Sequence, residues 1–336
     1  MDSELNEKLA ELAQNNQLRT PKGEWGEGWL NFTSNDYLGM RTHPKVIEAA
    51  IAATQKYGAG AGASRIAGGN HPLYNEFEEK IAAYKGYEAA CVFGSGYLAN
   101  LGVIQALVGS GDEVLADKLS HACIIDGVRL SGAKLVRFKH NDIADLQSKV
   151  SEHTKLIISE EIFSMDGDKA PPILFSPLML DGAHSLYGPE YPEAEIYIGT
   201  MSKALGSYGG YVCGSKTLID YIKSTARSLI YSTALPPSTL AAAIAALDVI
   251  TKEKPYEKTL ENAKILGANS AIIPVILGSE DAALNAEAKL REQKILVSAI
   301  RPPTVPPGTA RLRISISASH TKEEIEKLAD ALTKVI

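Results

Sequence analysis

Between residues 89 and 214 the chain alternates short apolar runs with stretches of helical periodicity, and this alternation restricts the possible folds more than any other feature. The runs cover 89–93, 113–116, 134–138, 155–160, 178–181, 195–199 and 210–214. Continuous apolar strands separated by helices are covered on both faces, so the spacing predicts an α/β domain on a largely parallel sheet. The stretch 72–85 places Leu73, Phe77, Ile81 and Tyr84 on one face, as an amphipathic helix requires. After a long region at 218–250 the pattern changes to a strand near 271–277, a helix near 281–293, strands near 296–300 and 310–317, and a helix over 322–335. That order describes a small α+β domain. The chain is thus expected to carry an N-terminal arm over 1–35, a large α/β domain over 36–245 and a small C-terminal domain over 246–336.

Composition agrees with about two domains around a sizeable core, because 45% of the 336 residues are apolar. The net charge of -6 argues against nucleic acid as a partner. The first 18 residues are polar and acidic with Leu5, Leu9 and Leu12 at helical spacing, so they are expected to form an amphipathic arm that packs on another surface, and neither a signal peptide nor a membrane span. Cys91, Cys123 and Cys213 are few, odd in number and set in apolar or small-residue sequence, which suits reduced, buried thiols in a cytoplasmic protein. None is spaced as a zinc ligand pair, and no metal is expected.

Chemistry concentrates in two segments. Lys203 lies in Gly199-Thr-Met-Ser-Lys-Ala-Leu-Gly-Ser-Tyr-Gly209, and about twenty residues upstream an apolar strand ends in Asp181-Gly-Ala-His184. A lysine that carries pyridoxal phosphate needs a nearby carboxylate to keep the ring nitrogen protonated, because that charge makes the ring an electron sink. At the end of a parallel strand an acid is well placed to reach a ligand in the crevice. Gly94-Ser-Gly-Tyr97 follows a strand and opens a helix, so its backbone N–H groups offer an anion site. Arg311 and Arg313 share a face if residues 310–317 form a strand, and spacing alone does not choose which of them binds a carboxylate.

These segments, with Asn31-Phe-Thr-Ser-Asn-Asp-Tyr-Leu-Gly39, Gly58-Ala-Gly-Ala-Gly-Ala-Ser-Arg65, His121-Ala-Cys-Ile-Ile-Asp-Gly127, Phe163-Ser-Met-Asp-Gly167 and Arg301-Pro-Pro-Thr-Val-Pro306, resemble the alpha-oxoamine synthases in order and along most of the chain. The resemblance implies a fold-type I, aspartate aminotransferase-like architecture, a large mostly parallel-sheet domain with a small α+β C-terminal domain. It also implies pyridoxal phosphate as cofactor and a homodimer with shared active sites. By that resemblance Lys203, His121, Asp181 and His184 are catalytic. Ser95, Gly96, Tyr97 and Thr200 hold the phosphate, with Thr233 reaching it from the second subunit. His121 stacks on the ring, Asp181 meets its nitrogen and His184 its phenolic oxygen. Ser164 and Glu160 line the site. Arg313 and Asn35 bind the amino acid, Arg311 ranks second to Arg313 as a structural ion pair, and the arm around Arg19 meets the thioester.

Within the family the 299–313 segment points to the branch that condenses L-alanine with a pimeloyl thioester, on coenzyme A or a carrier protein, in biotin synthesis. Ser64, where glycine-using relatives tend to carry Thr, leaves room for the alanine methyl. The alternatives are 2-amino-3-ketobutyrate coenzyme A ligase, 5-aminolevulinate synthase, a serine palmitoyltransferase-like enzyme, or a non-catalytic cofactor-binding member. Two departures stand out. Gly182 replaces the acidic residue usual after Asp181, and only residues 171–177 remain where the family inserts a helix, which is expected to leave one sheet face thinly covered. Similar shortening follows Gly188 and falls between Pro255 and Ile272. His320 is expected to cap the last helix or pack beneath it.

Overall fold

A computed structural model describes residues 1–19, 21, 23, 26, 28–188 and 194–336. The strands are, in chain order, β1 Leu30–Asn31, β2 Ala89–Phe93, β3 Glu113–Asp117, β4 Lys134–Phe138, β5 Thr154–Glu160, β6 Leu178–Asp181, β7 Ile196–Thr200, β8 Gly210–Gly214, β9 Ile272–Gly278, β10 Ile295–Leu296, β11 Ser298–Ile300 and β12 Ala310–Ser315. The chain divides into two compact units. One comprises Asp36–Ser164 and Asp168–Glu257, and the other Met1–Asn35, Met165–Gly167 and Lys258–Ile336. The helix Pro237–Glu253 runs through position 245 and lies wholly in the first unit.

The first unit is built on a seven-stranded sheet in the order β2-β8-β7-β6-β5-β3-β4. Only β8 runs against its neighbours. Strands β7 and β8 are buried along their whole length, as a two-sided sheet demands. One face packs Phe93, Ile158, Met179, Ile198 and Val212 against Val103, Ile104 and Ile124. Parallel register pairs Glu160 with Asp181 and Asp181 with Ile198, so the ends of β5, β6 and β7 bring Glu160, Asp181 and Thr200 to one sheet edge. The β5-to-β6 crossover has no helix, yet the face it spans is filled. Ile173 and Phe175 from the irregular 171–177 segment join Leu115, Phe138, Leu146, Ile157 and Leu178 in a separate core, which corrects the expectation of thin cover. The shortening after Gly188 leads into residues 189–193, outside the described residues.

The second unit holds an antiparallel sheet β11-β12-β9 and a parallel pair β1-β10. Phe32, Leu290, Ile295, Leu312, Ile314, Ile325 and Leu328 form its core. The stretch 296–300, expected as one strand, splits at Val297, because Ile295–Leu296 pairs with β1 and Ser298–Ile300 with β12. The last helix, Lys322–Val335, is capped by Thr321 and Glu324 in a capping box, so His320 is not its cap. Instead His320 Nε2 lies 3.0 Å from the Asn31 carbonyl oxygen, and its ring packs against Phe32. The helix Asp2–Gln14 buries none of its residues, and Leu5, Leu9 and Leu12 stay exposed. Among the described residues the arm's apolar stripe is therefore left exposed. Positions 20, 22, 24, 25 and 27 of the expected arm lie outside the described residues. Among the described residues no helix is long and apolar enough to cross a membrane, and no cluster of metal-ligating side chains occurs.

Candidate active site

Lys203 sits on a loop closed by its own backbone. Met201 N–H donates to the Gly209 carbonyl at 2.9 Å, Ser207 N–H to Met201 at 2.9 Å and Gly206 N–H to Lys203 at 2.9 Å. Gly206 adopts φ +61°, and a Cβ there would overlap the Met40–Arg41 backbone, so only glycine permits the turn. The loop places Lys203 Nζ 3.0 Å from His184 Nε2. On the other side of that ring, Nδ1 lies 2.7 Å from the Tyr37 hydroxyl. His184 and Tyr37 are buried, and the imidazole is therefore held at both nitrogens.

Asp181 is 5% exposed at the end of β6. Its Oδ2 accepts from Asn100 Nδ2 at 2.8 Å and its Oδ1 from Ala183 N–H at 2.8 Å. Glu160, beside it at the end of β5, accepts the His121 N–H at 2.5 Å through Oε1. Burial pushes the Glu160 carboxyl well above the ordinary carboxylate range, and the neighbouring Asp181 charge adds to that, against the His121 N–H and Lys203. His121 begins the helix Ala122–Ser131, with Nδ1 accepting the Cys123 N–H at 3.2 Å. Burial lowers the His121 imidazole below its ordinary value, and Asp181 pulls the other way.

The helix Gly96–Leu107 opens at the same edge. Ser95 caps it by accepting the Leu98 N–H at 3.2 Å, and Ala99 N–H donates to the Ser95 carbonyl at 2.9 Å. The Gly96 and Tyr97 N–H groups, at the first turn, remain to serve an anion. Gly210 backs this turn so closely that a Cβ there would overlap Ser95 and Gly96, and a Cβ on Gly96 would stand 3.4 Å from the Thr200 side chain. Thr200 Oγ1 donates to the Gly209 carbonyl at 2.9 Å and lies 2.7 Å from Ser202 Oγ. Tyr97 turns its hydroxyl away to Asp126 at 2.5 Å, so it offers the backbone and not the phenol. A helix N-terminus with spare donors, a buried aspartate at the sheet edge and a lysine against an imidazole together match the phosphate, ring nitrogen and carbonyl carbon of pyridoxal phosphate. The residues present fit that group.

Thr233 is exposed and pairs in an antiparallel bridge with Ser64. Ser164 is half-buried in the first unit. Asn35, Arg313 and Arg19 belong to the second unit. There Arg313 is 5% exposed and donates to Asn35 Oδ1 at 3.1 Å and to Ser315 Oγ at 2.8 Å. Arg311, two residues away, donates to Asp166 at 2.5 Å and to the Met165 carbonyl at 3.2 Å. Arg19 donates to Thr304 Oγ1 at 2.9 Å. Two residues that matter here, Tyr37 and Asn100, were not singled out from the sequence. Asn100 had a signal, since four residues after Gly96 it lies one helical turn inside the same N-terminus. Tyr37 had none beyond its place in the 31–39 motif.

A family model described as aminotransferase class I and II matches residues 27–332. An 8-amino-7-oxononanoate synthase of Methylobacterium nodulans is 45% identical over 98% of this chain and 93% of its own length. A solved chain described as SPT with PLP superposes with a TM-score of 0.88 at 27% identity, covering 98% of this chain and 96% of that one. An 8-amino-7-oxononanoate synthase of Francisella tularensis superposes with a TM-score of 0.79 at 27% identity, covering 92% and 98%.

Proposed function

We infer that this chain, which belongs to the aminotransferase class I and II family and to its alpha-oxoamine synthase branch, is a pyridoxal-phosphate-dependent acyltransferase. The reaction proposed is the decarboxylating condensation of L-alanine with a pimeloyl thioester to 8-amino-7-oxononanoate. A carbon–carbon bond forms between the alanine α-carbon and the thioester carbonyl carbon, the thiol leaves, and the alanine carboxylate departs as carbon dioxide. When bound, the cofactor ring supplies the electron sink for charge developing at the α-carbon. The observation that carries this reading is the Lys203–His184 contact at 3.0 Å beside the buried Asp181.

Each residue has a task in this reading. Asp181, which accepts from Asn100 and the Ala183 N–H, would pair with the ring nitrogen and favour its protonated form. Gly96 and Tyr97 N–H, Ser95 and Thr200 bind the phosphate, with Thr233 supplied by the second subunit of a homodimer. His121 limits the tilt of the ring, and Ser164 lines its edge. His184, fixed by Tyr37, orients the Lys203 amine, which would take the α-proton of the amino acid. Arg313 and Asn35 hold the amino-acid carboxylate, and Arg19 meets the thioester. Ser64, whose Oγ accepts the Ala67 N–H at 3.3 Å, leaves space for the alanine methyl. The enzyme is placed in the cytoplasm.

The test begins with the absorption spectrum of the protein with pyridoxal phosphate, followed by addition of L-alanine and pimeloyl-coenzyme A. A visible band absent from Lys203→Ala, then thiol release with alanine but not with glycine or serine, supports the reading. Release with serine or glycine points to a sibling synthase, and no band overturns the cofactor assignment.

A further inference from the structure

The loop from Asp181 to Ser185 carries the two side chains assigned to the cofactor ring, and its other residues are gripped by a buried polar network that the reaction itself does not use. Gly182 has no side chain, and its space is taken: a Cβ there would overlap the hydroxyl and ring of Tyr197. Tyr197, on β7, is fully buried. Its hydroxyl donates to Glu161 Oε2 at 2.8 Å. Lys85, 3% exposed at the end of the helix Pro72–Lys85, donates to Ser185 Oγ at 3.3 Å. Its Nζ stands 4.6 Å from the Tyr187 ring centre and 4.7 Å from that of Tyr197. The backbone completes the grip, with Glu161 N–H donating to the Asp181 carbonyl at 2.8 Å and Gly182 N–H to Ile198 at 2.8 Å.

Taking a phenol and an ammonium out of water together is unfavourable, and apolar side chains of similar shape would fill the same volume without that penalty. Burial pushes the Tyr197 phenol well above its ordinary value, so it stays a donor. Burial lowers the Lys85 ammonium while the Glu161 carboxylate draws it back up. Between them these side chains reach both sides of His184, Tyr197 filling the space beside Gly182 and Lys85 bonding Ser185. An acid at 182 is excluded by the Tyr197 hydroxyl, and Glu161 brings a carboxylate to that place from the neighbouring strand.

We propose that Tyr197 and Glu161 are positioning residues that hold the Asp181–Ser185 loop, and through it the Asp181 carboxylate and the His184 imidazole, in register with the cofactor ring. This rests on the assignment of Asp181 and His184 to the cofactor. Tyr197→Phe removes one hydroxyl and keeps the packing of the ring. The holoenzyme variant is expected to stay folded at the assay temperature with a lowered unfolding midpoint, while kcat per bound cofactor falls about tenfold and the KM for alanine stays within about twofold. The concentration of pyridoxal phosphate that half-saturates the visible band should rise by a similar factor. Glu161→Ala should reproduce this, and Glu161→Gln, which retains an acceptor for the tyrosine, should restore most of it. The proposal is overturned if Tyr197→Phe leaves kcat and cofactor affinity within about twofold of the parent, or if activity falls only in step with the unfolding midpoint. Lys203→Ala, measured alongside, separates the two failures: a band that does not depend on Lys203 sinks the cofactor reading, whereas a Lys203-dependent band indifferent to Tyr197 sinks only the network.

Discussion

The Tyr37 hydroxyl and His184 Nδ1 lie 2.7 Å apart with both side chains buried, and this contact decides how the imidazole faces Lys203. When Lys203 donates to Nε2, the ring proton sits on Nδ1 and is given to the tyrosine oxygen; the opposite tautomer reverses both bonds. Tyr37→Phe leaves that buried nitrogen without its partner, at a stability cost of about 1–3 kcal/mol. The expected kinetic result is a kcat lowered about tenfold with little change in KM, measured by steady-state thiol release. An unchanged kcat would show that His184 needs no such support.

Asn100 and Asp181 form a second buried pair, 2.8 Å apart. Asn100→Leu strips a donor from a desolvated carboxylate, and chemical unfolding should register a loss of about 1.5–3 kcal/mol. Asn100→Asp is the sharper variant, since it sets one acid against another and favours protonation of the pair. Cofactor affinity should drop further for Asn100→Asp than for Asn100→Leu in an absorbance titration. The reverse order would show that Asp181 does not act as an anion.

Arg311 and Arg313 should separate by phenotype. Arg311 is ion-paired to Asp166 with its own side chain 4% exposed, so Arg311→Ala should lower stability by about 3 kcal/mol in urea unfolding. Arg313→Lys keeps the charge but loses the planar fork, and should raise the KM for alanine about tenfold while stability changes less. A KM effect confined to Arg311→Ala would exchange the two assignments.

His140 provides a pH-dependent contribution to stability. Its Nδ1 lies 3.0 Å from Asp117 and its Nε2 2.8 Å from Asp168. Burial alone would lower this histidine, but the hydrogen bonds and charges of the two aspartates outweigh it and raise the value above 6.5. A raised folded value means stability that is complete below the unfolded value and lost as pH rises through the folded one. The difference in unfolding midpoint between parent and His140→Gln should therefore be larger at about pH 6 than at about pH 8.5. A constant difference would mean that the ring is clamped in its neutral form.

Much of the architecture was legible because its causes are local. The strands at 89–93, 134–138, 178–181 and 210–214 and the helices at 72–85 and 322–335 fall where the apolar runs and the 3.6-residue period put them. Where an element depends on a distant partner, local pattern was insufficient. The 296–300 run breaks at Val297 because its two halves pair with β1 and β12, and the apolar 173–175 segment covers a sheet face without forming a helix.

By itself the sequence determined the α/β order, the acid and imidazole at the end of an apolar strand, the Lys203 loop and the glycine-rich helix start, since period, turn chemistry and strand ends are properties of a few consecutive residues. Only the tertiary structure decided which side chains meet them. Tyr37 reaches His184 across 147 residues, Asn100 reaches Asp181 across 81, and Tyr197 reaches Glu161 across 36. Such pairs follow from close packing of separately formed elements, where each buried polar atom must find a partner, and no period in the chain encodes which one it finds.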